Sequence, residues 1–258
     1  MSLPTERTMT PAPRYIQTAD SSDLTFSICS LVRDSEKYEI LLQSFARNGF
    51  TPENSEFLAA DNRDQNRFDG YSWHKALLAE ARGRFVVFCH DDIELIDEGF
   101  DNLLGWTKWL DDNDPRWLVA GVAGGVWRPE PRPRPVLAIH ISDKFGSDRR
   151  RGKVPCRVES LDECFVMIRR SRPVISSYDL AGFHFYASDL CMQAELLGGS
   201  AYAIDFHIRH HGQGATGGAF RGCRRKFAAK YRKYFPGLTL NTVCGLVEFG
   251  SNDKPGEA

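Results

Sequence analysis

The chain has 258 residues, 42% hydrophobic and 26% charged, with a formal net charge of -1. That is the composition of a soluble globular protein. The near-zero charge excludes a global drive toward nucleic acid or anionic membrane, and no apolar stretch is long enough to span a bilayer. Seven cysteines stand singly with no CxxC pair, which excludes a disulfide framework or a zinc knuckle and fits small buried hydrophobes in a reducing compartment.

Residues 1–23 are rich in Pro, Thr and Ser and lack an apolar core segment. They read as a flexible tail, neither signal peptide nor membrane anchor, which makes the cytoplasm the expected location. Residues 24–32 read as a first strand. Arg33-Asp34-Ser35-Glu36 then resembles a helix start, and 38–45 has apolar residues at helical spacing before Asn48-Gly49 stops it. A short strand over 55–60 ends in Asp61-Asn62-Arg63-Asp64, and a helix over 71–81 is closed by Arg82-Gly83. Residues 85–89 form an apolar run without helical period, the mark of a strand buried on both faces. An amphipathic helix over 100–110 carries Trp106 and Trp109.

This alternation of strand and helix predicts an α/β fold with a doubly wound sheet, mixed but mainly parallel. From residue 118 the pattern changes. Residues 118–126 read as a strand running into a Gly-rich turn, and 128–135, rich in Pro and Arg, as a loop. A buried strand is expected over 164–169, a short helix over 189–197, a last strand over 201–206, a mobile Gly-rich segment over 213–222, and a basic, aromatic helix over 227–235. Residues 236–258 read as a C-terminal tail.

Three polar clusters fall at strand ends or helix starts: Asp61 with Asp64; His90, Asp91 and Asp92; and Asp189 with His207, His210 and His211. Ligands of open α/β sheets bind beyond the carboxyl ends of the strands, so the first two clusters are expected on one edge. Carboxylates with an imidazole directly after a buried strand are costly unless a cation receives them. Such a set suits Mg2+ or Mn2+, which keep open positions for phosphate oxygens. The plainer alternatives are an Asp-capped turn at 90–92 and, for Asp189, a helix-start residue favoured by the helix dipole. His207, in apolar surroundings, reads as a core residue.

Taken together, residues 26–34, Ala60-Asp61-Asn62, the 86–92 segment, 158–165, Phe183-His184-Phe185-Tyr186-Ala187-Ser188-Asp189-Leu190-Cys191 and His210-His211 resemble a glycosyltransferase of the GT-A fold. Within that fold the likeness is to the family 2 group, and to its bacterial glycosyltransferase-like subgroup with a His-x-Asp metal motif. The likeness runs over roughly 24–214. It implies a GT-A domain over 24–235, with a nucleotide-binding half at 24–117 and an acceptor-binding half at 118–235.

The resemblance further implies transfer of a sugar from a nucleotide-diphosphate donor, a UDP-sugar by preference, to an acceptor hydroxyl with inversion, in glycan or polysaccharide synthesis. Asp189 would be the general base. Asp61, Asp91 and Arg33 would meet the nucleotide. Asp92, His90, His210 and His211 would hold Mn2+ or Mg2+. Asp162, Glu163, His184, Tyr186 and Trp127 would face a glycan, lipid-linked or protein acceptor, Trp127 by stacking on a sugar. His90 stands where the family has a first Asp, and Ser188-Asp189 where it has Glu-Asp. The His90 departure keeps open a GT-A-like nucleotide-binding scaffold that has lost catalysis; a nucleotidyltransferase is the other alternative, against which residues 31–35 offer no glycine for a phosphate loop. No recognisable nucleic-acid module is present. The basic 221–233 segment reads as a solvated helix face, with peripheral membrane contact second.

Overall fold

The computed structural model describes residues 24–127, 134–212, 214 and 217–250; the expected N-terminal tail and most of the Pro- and Arg-rich loop lie outside them. The first half follows the expected alternation. Strand β1 (Phe26–Val32) is followed by α1 (Ser35–Arg47), β2 (Ser55–Asp61), α2 (Ser72–Glu80), β3 (Phe85–His90), a short β4 (Ile93–Leu95) and α3 (Phe100–Asn113). Asp34 starts α1 by accepting from the backbone N–H of Glu36 and Lys37 at 3.0 and 3.2 Å, satisfying two donors the helix itself cannot use. Gly49, at φ +87°, ends it in the left-handed region.

Residues 118–126 form two strands, not one: β5 (Trp117–Gly121) and β6 (Ala123–Val126), broken at Val122. Next come β7 (Leu137–Asp143), β8 (Gly146–Arg151), β9 (Cys156–Leu161), β10 (Phe165–Arg169), α4 (Tyr186–Leu196), β11 (Ser200–Ala203) and a three-residue β12 (Ile208–His210). Helix α5 (Gly218–Tyr231) begins inside the segment expected to be a mobile glycine loop, so Gly218 and Gly222 are helical. The expected tail is also corrected. β13 (Thr239–Thr242) and β14 (Gly245–Glu248) form an antiparallel hairpin, and Leu240, Val247 and Phe249 are core residues.

One mixed sheet runs β2-β1-β3-β10-β5-β11-β9-β6-β7-β12-β4, with β8 on the far side of β7. The β2-β1-β3 strands are parallel and in register, Val32 beside Asp61 and Leu31 beside His90, so their carboxyl ends share one edge. β10 runs antiparallel between β3 and β5, so the two halves share one sheet. Side chains alternate across it as a strand requires. Phe85, Val87 and Cys89 of β3 pack with Phe45 and Leu103 toward α1 and α3, while Val86 and Phe88 pack with Trp73, Leu190 and Phe227 toward α2, α4 and α5. On α5 the basic residues Arg221, Arg224, Arg225 and Lys226 are exposed and Phe227 and Tyr231 are buried.

The glycine-rich β6 has a steric reason. A Cβ on Gly125 would lie 1.9 Å from the Asn241 carbonyl oxygen and one on Gly124 2.4 Å from that of Ser160. Asn241 also bridges the junction of β6 and β7: its amide donates to the Val126 and Val136 carbonyls at 3.2 and 2.7 Å and accepts from the Val136 N–H at 3.1 Å.

Candidate active site

At the carboxyl end of β3, three ligand atoms converge. His90 Nδ1 lies 3.1 Å from His210 Nε2, His210 Nε2 lies 3.3 Å from Asp92 Oδ1, and His90 Nδ1 lies 4.0 Å from the same oxygen. Ligand atoms held about 2.1 Å from one ion stand about 3 Å apart when adjacent, so the spacing fits a shared divalent cation. The local chain dictates the arrangement. The apolar run of β3 ends as it leaves the sheet, and the turn into β4 carries the acids. Antiparallel pairing of β12 with β4 brings His210 opposite Ile93, while the His211 N–H donates to the Asp92 carbonyl at 3.0 Å.

The electrostatics are those of a site short of positive charge. Burial, then the neighbouring His210, holds the His90 ring below its ordinary range. For His210 burial acts the same way but loses to the Asp92 hydrogen bond and to the charges of Asp162 and Asp92, so its pKa rises. Asp92 is lowered despite its burial, by His210 and then by His90 and Lys37. His90 turns its other nitrogen, Nε2, to the Tyr186 hydroxyl at 2.9 Å; that contact fixes ring orientation as outer-shell partners of metal-bound histidines do. The backbone at Gly212 passes directly over the cluster: a Cβ there would lie 2.6 Å from His210 Nε2 and 3.0 Å from Asp92 Oδ2.

Several expected residues take other places. His211 is not in the cluster; its ring is exposed, with Nε2 3.4 Å from Glu94. Asp91 does not join it either: its Oδ2 accepts from the backbone N–H of Arg33 and Asp34 at 2.6 and 3.0 Å, tying the β1–α1 loop to the turn after β3. Arg33 contributes that N–H, and its guanidinium lies 6.0 Å from the Phe183 ring centroid. Asp61 is on the expected edge, but its carboxylate is bound by Arg63 and Arg67 at 2.9 and 3.1 Å, which holds its pKa well below the usual range.

Asp189 is enclosed. It lies in the first turn of α4 and has no solvent exposure. Its carboxylate accepts from the Ser177 N–H (2.7 Å), the Ser177 hydroxyl (2.6 Å) and the Tyr231 hydroxyl (2.6 Å). In this arrangement the carboxylate is engaged by Ser177 and Tyr231.

Tyr186 is buried behind His90. Trp127 is half-exposed under the Arg157 guanidinium, 4.5 Å from its ring centroid. Its backbone pairs with Arg157, five residues along β9 and loop from Asp162 and therefore about 17 Å away. With Val158, Met192 and Leu238 it lines a separate cavity of about 120 Å³.

Asp162 and Glu163 do face the cluster. Asp162 acts electrostatically on both His90 and His210 and uses one oxygen to accept from the Cys164 N–H. Glu163 accepts from the Phe185 N–H at 2.6 Å, and burial, then Asp162, raises its pKa to about 8. His184 is half-buried against the Phe220 ring.

Lys37, Gly212 and Asn62 are site residues that the sequence reading missed. Lys37 lies in the first turn of α1, with Nζ 3.8 Å from Asp92 Oδ2; its place three residues after the Asp34 cap was the available signal. Gly212 could have been found as a glycine directly after two histidines. Buried Asn62 shapes the loop after Asp61 through bonds to Arg67 and Phe68.

The architecture is that of the GT-A fold. TarS 1–349 of S. aureus aligns with a TM-score of 0.52 at 16% identity over 81% of this chain and 66% of its own. The mannosyltransferase PcManGT of Pyrobaculum calidifontis, in complex with GDP-Man and Mn2+, aligns at 0.50 and 14% identity over 82% and 62%. GalNAc-T7 with UDP, GalNAc and Mn2+ aligns at 0.51 and 11% over 75% and 45%. The chain thus spans two thirds or less of the length of these structures, and at such identities the likeness establishes the fold. No family model matches the chain. It belongs to the family of the protein named "ATP synthase subunits region ORF 6" of Fuscovulum blasticum, with which it is 57% identical over 242 residues, 94% of this chain and 97% of the relative.

Proposed function

We propose that the chain is a metal-dependent glycosyltransferase that moves a sugar from a nucleoside-diphosphate donor to an acceptor hydroxyl. The observation that carries this is the convergence of His90 Nδ1, His210 Nε2 and Asp92 Oδ1 at the carboxyl end of β3, on the strand edge where open α/β sheets bind ligands, in a GT-A fold. Solved proteins of that fold carry UDP-GlcNAc, GDP-Man or UDP, which supports a nucleotide-sugar donor, with UDP the first to test.

His90, Asp92 and His210 would hold the metal. Two imidazoles favour Mn2+ over the oxygen-seeking Mg2+. When bound, the metal supplies positive charge against the departing diphosphate. Lys37 adds a cation beside the same carboxylate. Asp61, freed from Arg63 and Arg67 or bridged by them, would bind the nucleoside. The acceptor oxygen bonds to the anomeric carbon, the bond to the diphosphate breaks with its electron pair, and inversion follows from a single displacement. With Asp189 enclosed, the acceptor proton is assigned to Asp162. Glycan, lipid-linked and protein acceptors all fit this chemistry. Among the described residues no helix is long and apolar enough to cross a membrane.

The enclosure of Asp189 also favours a second reading, a nucleotide-binding GT-A scaffold without turnover. Calorimetric titration of chelator-treated protein with UDP and GDP, with and without Mn2+, tests both. Metal-dependent binding of one nucleotide, lost in Asp92→Ala, supports the donor site; turnover with a matching nucleotide-sugar then selects the transferase. Absence of nucleotide binding under every condition would overturn both.

A further inference from the structure

A second histidine cluster lies at the other end of β12. His140, on β7, and His207, just before β12, are 2% and 5% exposed. Their rings stack with centroids 4.4 Å apart and planes 12° from parallel. Each ring turns Nδ1 to a carboxylate: His140 to Asp205 Oδ1 at 2.5 Å and His207 to Asp97 Oδ1 at 3.1 Å. A carboxylate at Nδ1 places the ring proton there and leaves a lone pair on Nε2. Yet His140 Nε2 faces a second carboxylate oxygen, Asp148 Oδ1, at 2.9 Å. Two lone pairs at that distance repel unless a cation lies between them.

The Asp205 and Asp148 carboxylates flank the His140 ring from both sides. A metal ion between Nε2 and Asp148 would meet that need and would also reach the second ring. His140, Asp148 and His207 each offer a ligand atom within 4.8 Å of the others. Histidines that ligate a metal through one nitrogen and donate from the other to a carboxylate are the usual outer-shell arrangement, and here both histidines have it.

Two further observations point to a missing cation. Glu98, beside His207 and in the field of Asp205 and Asp97, has a buried Oε2 with no hydrogen-bond partner. Asp148 is held in the left-handed region at φ +46°, a conformation that costs a non-glycine residue energy and gathers at functional sites. Its N–H donates to Ser142 Oγ at 2.9 Å, and that hydroxyl also lies 2.9 Å from His207 Nε2. Arg150 answers part of the charge, 3.0 Å from Asp148 Oδ1 and 3.7 Å from Asp205 Oδ1. Asp148 itself is 60% exposed and leaves the cluster open to entry from solvent.

We propose that His140, Asp148 and His207 form a second metal site that takes Zn2+, with Ser142 Oγ or a water completing four-coordination. Two imidazole nitrogens and a carboxylate oxygen are a zinc donor set. The ion would join β7 and β8 to the start of β12, three residues and therefore about 10 Å from His210.

The probe is Zn2+, with Co2+ as its spectroscopic substitute, added to chelator-stripped full chain carrying Asp92→Ala so that the first cluster is disabled. Competition with a chromophoric chelator should give one equivalent bound below micromolar Kd, Co2+ should show the visible bands of a four-coordinate site, and Tm should rise with metal. His140→Gln and His207→Gln should each weaken binding at least a hundredfold. Should either fail to fold, Asp148→Asn, on an exposed side chain, should still fold and lose at least tenfold. No binding in the Asp92→Ala protein, or binding that all three further substitutions leave unchanged, overturns the proposal. Neither outcome depends on nucleotide binding, so it stands or falls apart from the transferase reading.

Discussion

His90 Nδ1 and His210 Nε2 stand 3.1 Å apart although 120 residues separate them in the chain. The antiparallel pairing of β12 with β4 makes that meeting, and it selects His210 over its neighbour His211. His210→Ala is therefore expected to weaken Mn2+-dependent nucleotide binding by tenfold or more, and His211→Ala by less than threefold. Tyr186→Phe, which removes the partner of His90 Nε2, should cost 10- to 100-fold in metal affinity. Isothermal titration of the three variants decides the assignment.

The two candidate bases separate by what their loss does. Asp162→Asn should lower kcat by about 10²- to 10⁴-fold with nucleotide affinity retained, as removal of a general base does. Asp189→Asn should act on folding, because one of the two accepting oxygens becomes an NH2 that only donates, set either against the Ser177 N–H or against the two hydroxyls that now donate there. A loss on the order of 2 kcal/mol or more is expected in urea unfolding. A stable Asp189→Asn protein with lost turnover would return the base to Asp189.

Gly212 is held by space. The methyl of Gly212→Ala would have to displace His210 or Asp92, so metal-dependent binding should fall at least tenfold. Gly217→Ala, where nothing lies within 4 Å of the added carbon, is the control and should bind as the parent does.

His74 gives the acid dependence of stability a named source. It is fully buried among Trp73, Phe88 and Tyr186, and neither ring nitrogen has a partner. Burial, then Lys75, lowers its pKa to about 3 from 6.5. Because the folded value is the depressed one, the unfolded chain binds the proton first as pH falls. Its stabilising contribution is complete above pH 6.5 and lost progressively toward pH 3. His74→Leu, close in volume and without polar atoms, should gain on the order of 1 kcal/mol at pH 7 and flatten the Tm decline between those limits. An unchanged slope would assign the acid loss to other groups.

The first half of the fold was legible because local signals agreed there: the Asp34 cap, the Asn48-Gly49 stop and the unbroken apolar run of β3 each act within a few residues. Asp92 and His90 were readable for the same reason, as polar groups abutting a buried strand. The strands between 136 and 161 were not. β8 is an exposed edge strand of Ser, Asp and Arg without an apolar pattern, and in β7 the alternating Leu137, Ile139 and Ile141 form only a short run beside the Pro-rich segment, with His140 and Ser142 buried between them. The partners of Asp189 were not readable, because a carboxylate at a helix start looks the same whether it meets a substrate or the Tyr231 hydroxyl 42 residues later. Trp127 and Tyr186 depended on pairings that only the sheet order supplies.

The Asn241 bridge has a consequence for how the molecule is made. β6 has glycines where side chains would otherwise fill the space, and the carbonyl that occupies it comes from a residue more than a hundred positions later. During synthesis, then, the glycine strand emerges long before the segment that covers it. The sheet must wait, partly open beside β9, until Leu240, Val247 and Phe249 have left the ribosome. Closure of this part of the sheet is expected late in folding, and ribosome-bound chains halted before residue 239 should remain sensitive to protease across β6 and β7.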